Sequence, residues 1–218
     1  MNVVDNLPEP IKLENLMKIH ALLNIILCRD EWIRYHSFLP EWKDKISMAK
    51  IDNGAGDHLF ILFAPQGTIL KGFDHESELS PYARDEHEIW PGIYDEVPKE
   101  LLLLLEDEAI VNEDVTFCIW RRNCDSEWQK GKVEFPKGEE DGSNFLLGTI
   151  FQTPEDFVEF AKDYFDLTPP LYIVANIYKG TPITAEMIQM LNPDCDVEEV
   201  FQELGSTFSN NTAENNKR

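Results

Sequence analysis

The spacing of apolar and polar positions changes period several times along this chain. From residue 10 to about 28, apolar residues recur at Leu13, Leu16, Met17, Leu23 and Ile26-Leu27, with Pro10 in the first turn. That spacing predicts a helix. Over 31–38 the period drops to two, with Trp32, Arg34 and His36 facing one way and Ile33, Tyr35 and Ser37 the other. A strand is expected there, ended by Pro40, which cannot donate to a ladder. Residues 45–51 alternate partially and predict the next strand. Leu59 to Phe63 is a continuous apolar run between two turn signals, Asn53-Gly54-Ala55-Gly56-Asp57 and Pro65-Gln66-Gly67. It reads as one arm of a central hairpin whose other arm is 68–74.

A three-residue loop with Gly67 in the left-handed bulge position sets the register of that hairpin. It pairs Ala64 with Thr68, Leu62 with Leu70, Phe60 with Gly72 and Leu59 with Phe73. At the open end His58 meets Asp74 and Asp57 meets His75. Both faces of the hairpin are apolar, so covering elements are expected on each side. A slip of one residue would exchange the faces and remove both acid–histidine pairs.

Residues 80–91 read as a loop ending in a Trp90-Pro91-Gly92 corner, whose aromatic either packs at the corner and covers the sheet or lines a recognition cleft. A short helix over 99–107, apolar all round at Leu101 to Leu105, predicts deep burial. Strands are expected at 115–121 and 128–135, and a short helix at 143–151. Thr153-Pro154-Glu155-Asp156 is a helix start: a threonine cap, proline at the first position and acids facing the macrodipole. Its inner face carries Phe157, Phe160, Ala161, Tyr164 and Phe165. Residues 171–178, LYIVANIY, are β-prone and read as an edge or parallel strand. Helices follow at 184–191, stopped by Asn192-Pro193, and at 196–204, stopped by Gly205. The fold class is α+β, a mixed, mainly antiparallel central sheet with helices packed around it. Residues 1–140 form the main sheet-containing domain and 141–205 a helical portion on the same core, divided at the charged loop 136–142. Residues 206–218 read as a disordered, Asn-rich tail.

Charge narrows the function. The 218 residues hold 41 acids against 19 bases, a formal net charge of −22. A nucleic-acid footprint needs clustered Lys and Arg, so nucleic acid is not expected as a partner. Anionic membrane surfaces are disfavoured for the same reason, and the longest apolar runs are too short to span a bilayer. A basic protein partner, steered by the long-range field, is favoured. One small basic island, Arg121, Arg122, Lys130 and Lys132 beside Trp120 and Trp128, is expected to pair with the surrounding acids. The scattered Cys28, Cys118, Cys124 and Cys195 show no CxxC spacing and read as reduced thiols of a cytoplasmic protein. The first residues show no basic region of a signal peptide, so the Asn210-Asn211-Thr212 glycosylation triplet carries no weight.

Candidate chemistry concentrates at the end of the hairpin. His58, Asp74, His75 and Glu76 are metal-capable donors and could form an acid–base or metal-dependent hydrolytic site, with Asp57 beside them. No HExxH, HxH or helical i, i+4 histidine spacing supports a metal, and no cofactor is expected. GxSxG, P-loop and GxGxxG motifs are absent from the sequence. His20, beside the apolar stripe of the first helix, reads as a packing residue. The acids Asp74, Glu76, Glu78, Asp85, Glu86 and Glu88 bunch in one loop, with Tyr82 and Trp90 as aromatic anchors. This is the predicted partner-binding surface.

Trp42, then Asp52-Asn53-Gly54-Ala55-Gly56-Asp57-His58-Leu59, then Pro65-Gln66-Gly67, then Gly72-Phe73-Asp74-His75-Glu76 resembles the core pattern of the SUKH superfamily. That group includes fungal regulators of cell-wall glucan synthesis and many bacterial immunity proteins. The resemblance covers about residues 39–105. It implies an α+β fold and a binding role, which in bacteria means neutralising a co-encoded toxin, often a nuclease. The expected function is therefore a non-enzymatic, immunity-type inhibitor of a basic toxin. The alternatives are a hydrolase at the His58 cluster and an intracellular regulator or scaffold.

Overall fold

The computed structural model describes residues 3–85, 87–136 and 138–208. Its centre is a six-stranded sheet in the order β1-β2-β3-β4-β5-β6, antiparallel at every pairing: β1 His36–Lys43, β2 Ile46–Asp52, β3 His58–Ala64, β4 Gly67–Phe73, β5 Phe117–Arg122 and β6 Gln129–Lys130. The α+β class holds, and the sheet is wholly antiparallel rather than mixed. Tight turns explain the pairings from β1 to β4, and β5 joins antiparallel after the long connection 74–116. Each strand from β1 to β4 returns on its neighbour through a short turn, which only an antiparallel ladder allows.

Helix α1, Pro10–Leu27, is the shared element of the molecule. Its first half places Leu13, Leu16, Met17 and Ala21 on one face of the sheet, against Phe38, Ile51, Leu59, Ile61, Leu70 and Ile119. Its last half turns Leu23, Ile26 and Leu27 toward α4 (Pro154–Phe165), α5 (Leu171–Tyr178), α6 (Ala185–Leu191) and α7 (Val197–Phe208). The other sheet face buries Phe60, Leu62, Ile69, Cys118 and Trp120 under Ile93, Leu101, Leu105, Ile110 and Val115. Both faces are thus covered, as two apolar faces demand.

The three-residue loop is not what forms. Ala64 pairs with Gly67 across the two-residue loop Pro65-Gln66, and Leu62 pairs with Ile69, Leu59 with Gly72 and His58 with Phe73. The register is displaced by one residue from the expected one. The loop is held from outside: the Asn123 side chain donates to the Pro65 carbonyl at 2.6 Å, and its backbone N–H to Gln66. Gly67 is a ladder residue rather than a bulge. A Cβ there would lie 2.5 Å from the Arg121 carbonyl of β5.

Other expectations shift too. Glu31–Ile33 is a 3₁₀ turn, and β1 starts only at His36. Pro40 does not end β1. It lies on the outermost strand, where the register slips between Leu39 and Lys43, so no ladder partner is lost. The expected strand at 128–135 is reduced to Gln129–Lys130. The helix at 99–107 is a single α-turn, α2 Lys99–Leu102, continued as 3₁₀ to Glu106. Leu101 and Leu105 are buried while Leu103 is half exposed. Helix α3, Ser143–Gly148, is shorter than expected.

The largest change is at 171–178, which is helix α5 and not a strand. Ile173, Val174 and Ile177 are its buried residues, a helical spacing. Helix α7 runs through Gly205 to Phe208, so residues 206–208 are helical. The rest of the expected tail, with its Asn210-Asn211-Thr212 triplet, lies outside the described residues. The expected helix starts are present: the Thr153 hydroxyl accepts from the Asp156 N–H, and that of Thr184 from the Met187 N–H. The four cysteines are free thiols. Among the described residues no helix is long and apolar enough to cross a membrane.

Candidate binding surface

The displaced register breaks one of the two acid–histidine pairs predicted at the hairpin end, His58–Asp74, and leaves the other, Asp57–His75. His58 lies opposite Phe73 and away from Asp74, and its Nε2 sits 3.4 Å from the Nζ of Lys71. Burial, then the Lys71 charge, pushes the His58 imidazole down to about 4. The Asp57–His75 pair survives, because it is made by the chain just beyond the ladder. Asp57 accepts from the His75 backbone N–H at 2.9 Å, from its Nδ1–H at 2.6 Å and from the Asn53 amide at 2.6 Å. Burial opposes ionisation of Asp57, but these donors outweigh it and hold its carboxyl below its ordinary value. The same hydrogen bond raises the exposed His75. The Asn53 side chain in turn accepts from the N–H groups of Ala55 and Asp57, while Gly54 and Gly56 take positive φ.

Asp57→Ala is expected to return the His75 titration toward its ordinary value. It should also cost about 1–3 kcal/mol of stability, the order expected for a buried acceptor with several donors. An NMR titration of the His75 ring together with a urea melt reads both. An unmoved His75 titration would mean that the pair does not form in solution.

Among the described residues one group of three metal-capable side chains is close enough to share an ion: Asp57, Asp74 and His75, with ligand atoms within 4.8 Å of one another. This is not the predicted set. His58 faces Lys71, and Glu76 is exposed on the loop outside the group. Asp74 is half-buried and pressed against Gly142, where a Cβ would lie 2.3 Å from its own Cβ. Burial raises its carboxyl above the ordinary value.

Downstream, the loop is anchored by buried residues and displays its acids. The Ser77 hydroxyl donates to the Glu140 carbonyl at 2.8 Å, and Leu79, Ser80 and Pro81 are buried. Between and after these anchors Glu76, Glu78, Tyr82, Asp85 and Glu88 face solvent. Glu86 lies outside the described residues. Trp90 is a packing residue: it is half-buried against the second sheet face, with the Arg84 guanidinium 4.7 Å from its ring. Tyr82 does stand out, 61% exposed, with its hydroxyl donating to Asp114 at 2.6 Å.

That bond brings in residues the sequence reading left aside. The stretch 106–114 carries Glu106, Asp107, Glu108, Glu113 and Asp114, and the Tyr82–Asp114 bond ties it to the 76–88 loop. Its acid density was visible in the sequence, but nothing there showed that the two loops meet. The basic side chains, by contrast, are mostly used up inside the molecule. Arg29 and Arg34 pair with Glu203, Lys43 with Asp107 and Lys50 with Asp52. The basic island pairs as expected: Arg121 with Glu9, Arg122 with Asp125, Lys130 with Asp141 and Lys132 with Glu96. Among the described residues no Lys or Arg pairs with Glu76, Glu78, Asp85 or Glu88. No family model, curated protein or solved structure matches this chain.

Proposed function

We propose that this chain is a non-enzymatic binding protein that covers a basic partner with its acidic loops, in the manner of an immunity-type inhibitor of a nuclease-like toxin. The observation that carries the reading is the uneven use of charge. Among the described residues more than half of the lysines and arginines are ion-paired within the fold, while no Lys or Arg side chain forms an ion pair with Glu76, Glu78, Asp85 or Glu88, on a loop anchored at Ser77 and at the buried Leu79, Ser80 and Pro81. A mainly acidic surface, with Arg84 as its basic residue turned onto Trp90 and the Glu88 carbonyl, raises association rates and selects for an opposite field. The Tyr82–Asp114 bond extends the surface to Glu113 and supplies an exposed aromatic at its centre. Aromatic anchors of this kind are enriched among residues that dominate interfaces. Trp90 is not part of the surface, and Asp74 contributes from its edge only.

The test is capture at low salt of a basic partner, followed by stopped-flow association. The fourfold variant E76Q/E78Q/D85N/E88Q should lower the association rate about tenfold or more at low ionic strength and flatten its salt dependence. An association rate and salt slope equal to wild type would remove this surface from the interface.

A second reading, a metal-dependent hydrolase, is favoured by the Asp57, Asp74 and His75 grouping. Calorimetric titration with zinc or manganese separates it. Stoichiometric binding abolished by His75→Ala would support it, and absence of binding would leave the trio as the hydrogen-bonded cap of the hairpin.

A further inference from the structure

We propose that His20 and His36 form an acid-sensitive latch that fastens the C-terminal helices to α1 and β1. Release of the latch frees α4 and α5 while the six-stranded sheet stays folded.

Both rings are closed off from water, at 0% and 1% exposure, and their centroids are 4.8 Å apart. His20 projects from α1 and His36 from the start of β1. Each reaches across to the segment between α3 and α4. The His36 Nε2 lies 3.0 Å from the Thr149 carbonyl, and the His20 Nε2 lies 3.0 Å from the Phe151 carbonyl and 3.0 Å from the Tyr178 hydroxyl of α5. Tyr178 also donates to the Phe151 carbonyl, at 3.1 Å. Four parts of the chain therefore meet through two imidazoles.

The surroundings permit only neutral rings. The Asn24 side chain cannot turn, because its Oδ1 accepts the N–H groups of Tyr35 and His36 while its Nδ2 donates to the His20 carbonyl. That Nδ2 also points at the His36 Nδ1, 3.3 Å away. This assigns the His36 proton to Nε2, donating to Thr149. A second proton, on Nδ1, would set donor against donor. His20 is in a similar position, since its buried Nδ1 has no hydrogen-bond partner among the described residues. A proton placed there would find no acceptor, at the full cost of a buried unpaired donor.

Among the described residues no carboxylate is hydrogen-bonded to either ring. The ionisable groups against the rings are each other, Tyr35 just before β1 and Tyr178 on α5, with Asp156 and Glu155 of α4 acting on Tyr178 through their fields. The remaining ring neighbours are Phe151, Phe157 and Phe160. Helix α4 places the apolar rings of Phe157 and Phe160 against the imidazoles, so among the described residues a charge on either imidazole has no carboxylate within hydrogen-bond reach. Both histidines are accordingly held below their ordinary value by burial, His36 down to about 4 and His20 also lowered by its neighbour.

The direction of the pH effect follows. Both rings are neutral in the folded latch, while the exposed rings of an opened latch take up a proton near 6.5. Closure is unopposed above about pH 6.5 and is progressively weakened as pH falls toward about 4. The carboxylates of Asp57 and Glu203 are held ionised to lower pH and lie outside this window, whereas His58 at the start of β3, also held at about 4 by burial, shares it.

The test is hydrogen exchange by mass spectrometry on the full chain between about pH 7 and pH 4.5, with rates corrected for intrinsic pH dependence. In an H58Q background, which removes the β3 histidine of the same window, peptides covering 149–165 and 171–178 should lose protection at least tenfold as pH falls, while β3 and β4 peptides keep theirs. The H20Q/H36Q variant should remove that selective loss. Equal loss of protection across sheet and helices, or the same selective loss in the variant, would overturn the latch. Where the variant fails to fold, wild-type imidazole titrations by NMR decide. A His20 or His36 that titrates at or above about 6.5 in the folded chain would refute it, and titration of both below 5 would support it.

Discussion

Lys71→Met should stabilise the protein at neutral pH by about 2–3 kcal/mol, and the gain should vanish as pH rises toward 10.5. Lys71 sits in the centre of β4 with 0% exposure, facing the second sheet face. Among the described residues it has no ion pair. Its Nζ has the His58 Nε2 at 3.4 Å and the Phe60 ring at 5.4 Å, while Asp114 and Glu113 act only through their fields. Burial lowers the ammonium from 10.5 to about 8. Each unit of such a shift corresponds to about 1.4 kcal/mol.

Because the folded value is depressed, the unfolded chain holds its proton more tightly. The penalty is complete below about pH 8, shrinks as pH rises, and is gone above 10.5, the value in the unfolded chain. Methionine matches the lysine stem without a charge, so it avoids that penalty. Urea melts of both proteins at pH 7, 9 and 10.5 read the effect: wild type should gain stability across this range relative to K71M. Equal stabilities at pH 7 would mean that the ammonium reaches water, and the burial of Lys71 would have to be abandoned.

Gly72→Ala should cost about 3 kcal/mol, for a steric reason. A Cβ at Gly72 would lie 2.0 Å from Cζ of Phe117, whose ring is buried over the neighbouring strand. Gly72 and Phe117 are direct partners in the β4–β5 ladder, so neither can withdraw without breaking the sheet. Inserting a methyl into a closed core typically costs 1–3 kcal/mol, and a ring with no path of escape lies at the upper end. The cost should be shared with the ring: G72A/F117L should be at least 1 kcal/mol more stable than the sum of the single variants implies. Strictly additive costs in that double-mutant cycle would show that the two positions do not touch.

The glycine, the lysine and the acid–histidine pairs show why a correct sequence pattern can still mislead. The Leu59–Phe63 run was legible as a buried strand, and the apolar character of both hairpin faces correctly required cover on each side. Turn chemistry at Asn53-Gly54-Ala55-Gly56-Asp57 was legible as well, since side-chain acceptors and positive φ act within a few residues. The loop Pro65-Gln66-Gly67 fits two lengths equally well by composition. Asn123, from a turn more than fifty residues later, holds the shorter one. That single step moves His58 to Lys71 and leaves Asp57 with His75.

The candidate surface was legible in part for the same reason. The acids Glu76, Glu78, Asp85 and Glu88 are exposed as expected, because charge that lacks a partner stays in water. Trp90 and Asp74 could be placed only once their neighbours were known. Arg84 covers the one and Gly142 crowds the other. The partnership of Tyr82 with Asp114 joins two loops that no local pattern connects.

Local physics thus settled the elements whose signal lies within a turn or two of chain. These are the Pro10 helix start and the apolar stripe behind it, the Thr153 and Thr184 caps, the strand runs from Ile46 to Phe73, and the overall negative field. Packing between distant segments settled the rest. Residues 171–178 could form a strand or a helix by composition, and they are helical because Ile173, Val174 and Ile177 then meet α1 and α4 on one face. Pro40 stays in β1 because that strand is outermost. His20 and His36 are held below their ordinary value because folding buries both rings, which outweighs the opposing pull of the Phe151 and Thr149 carbonyls. Hydrogen bonds and periodicity within one segment are encoded by neighbours in sequence. Register, burial of charge and the meeting of loops depend on groups that folding alone brings together.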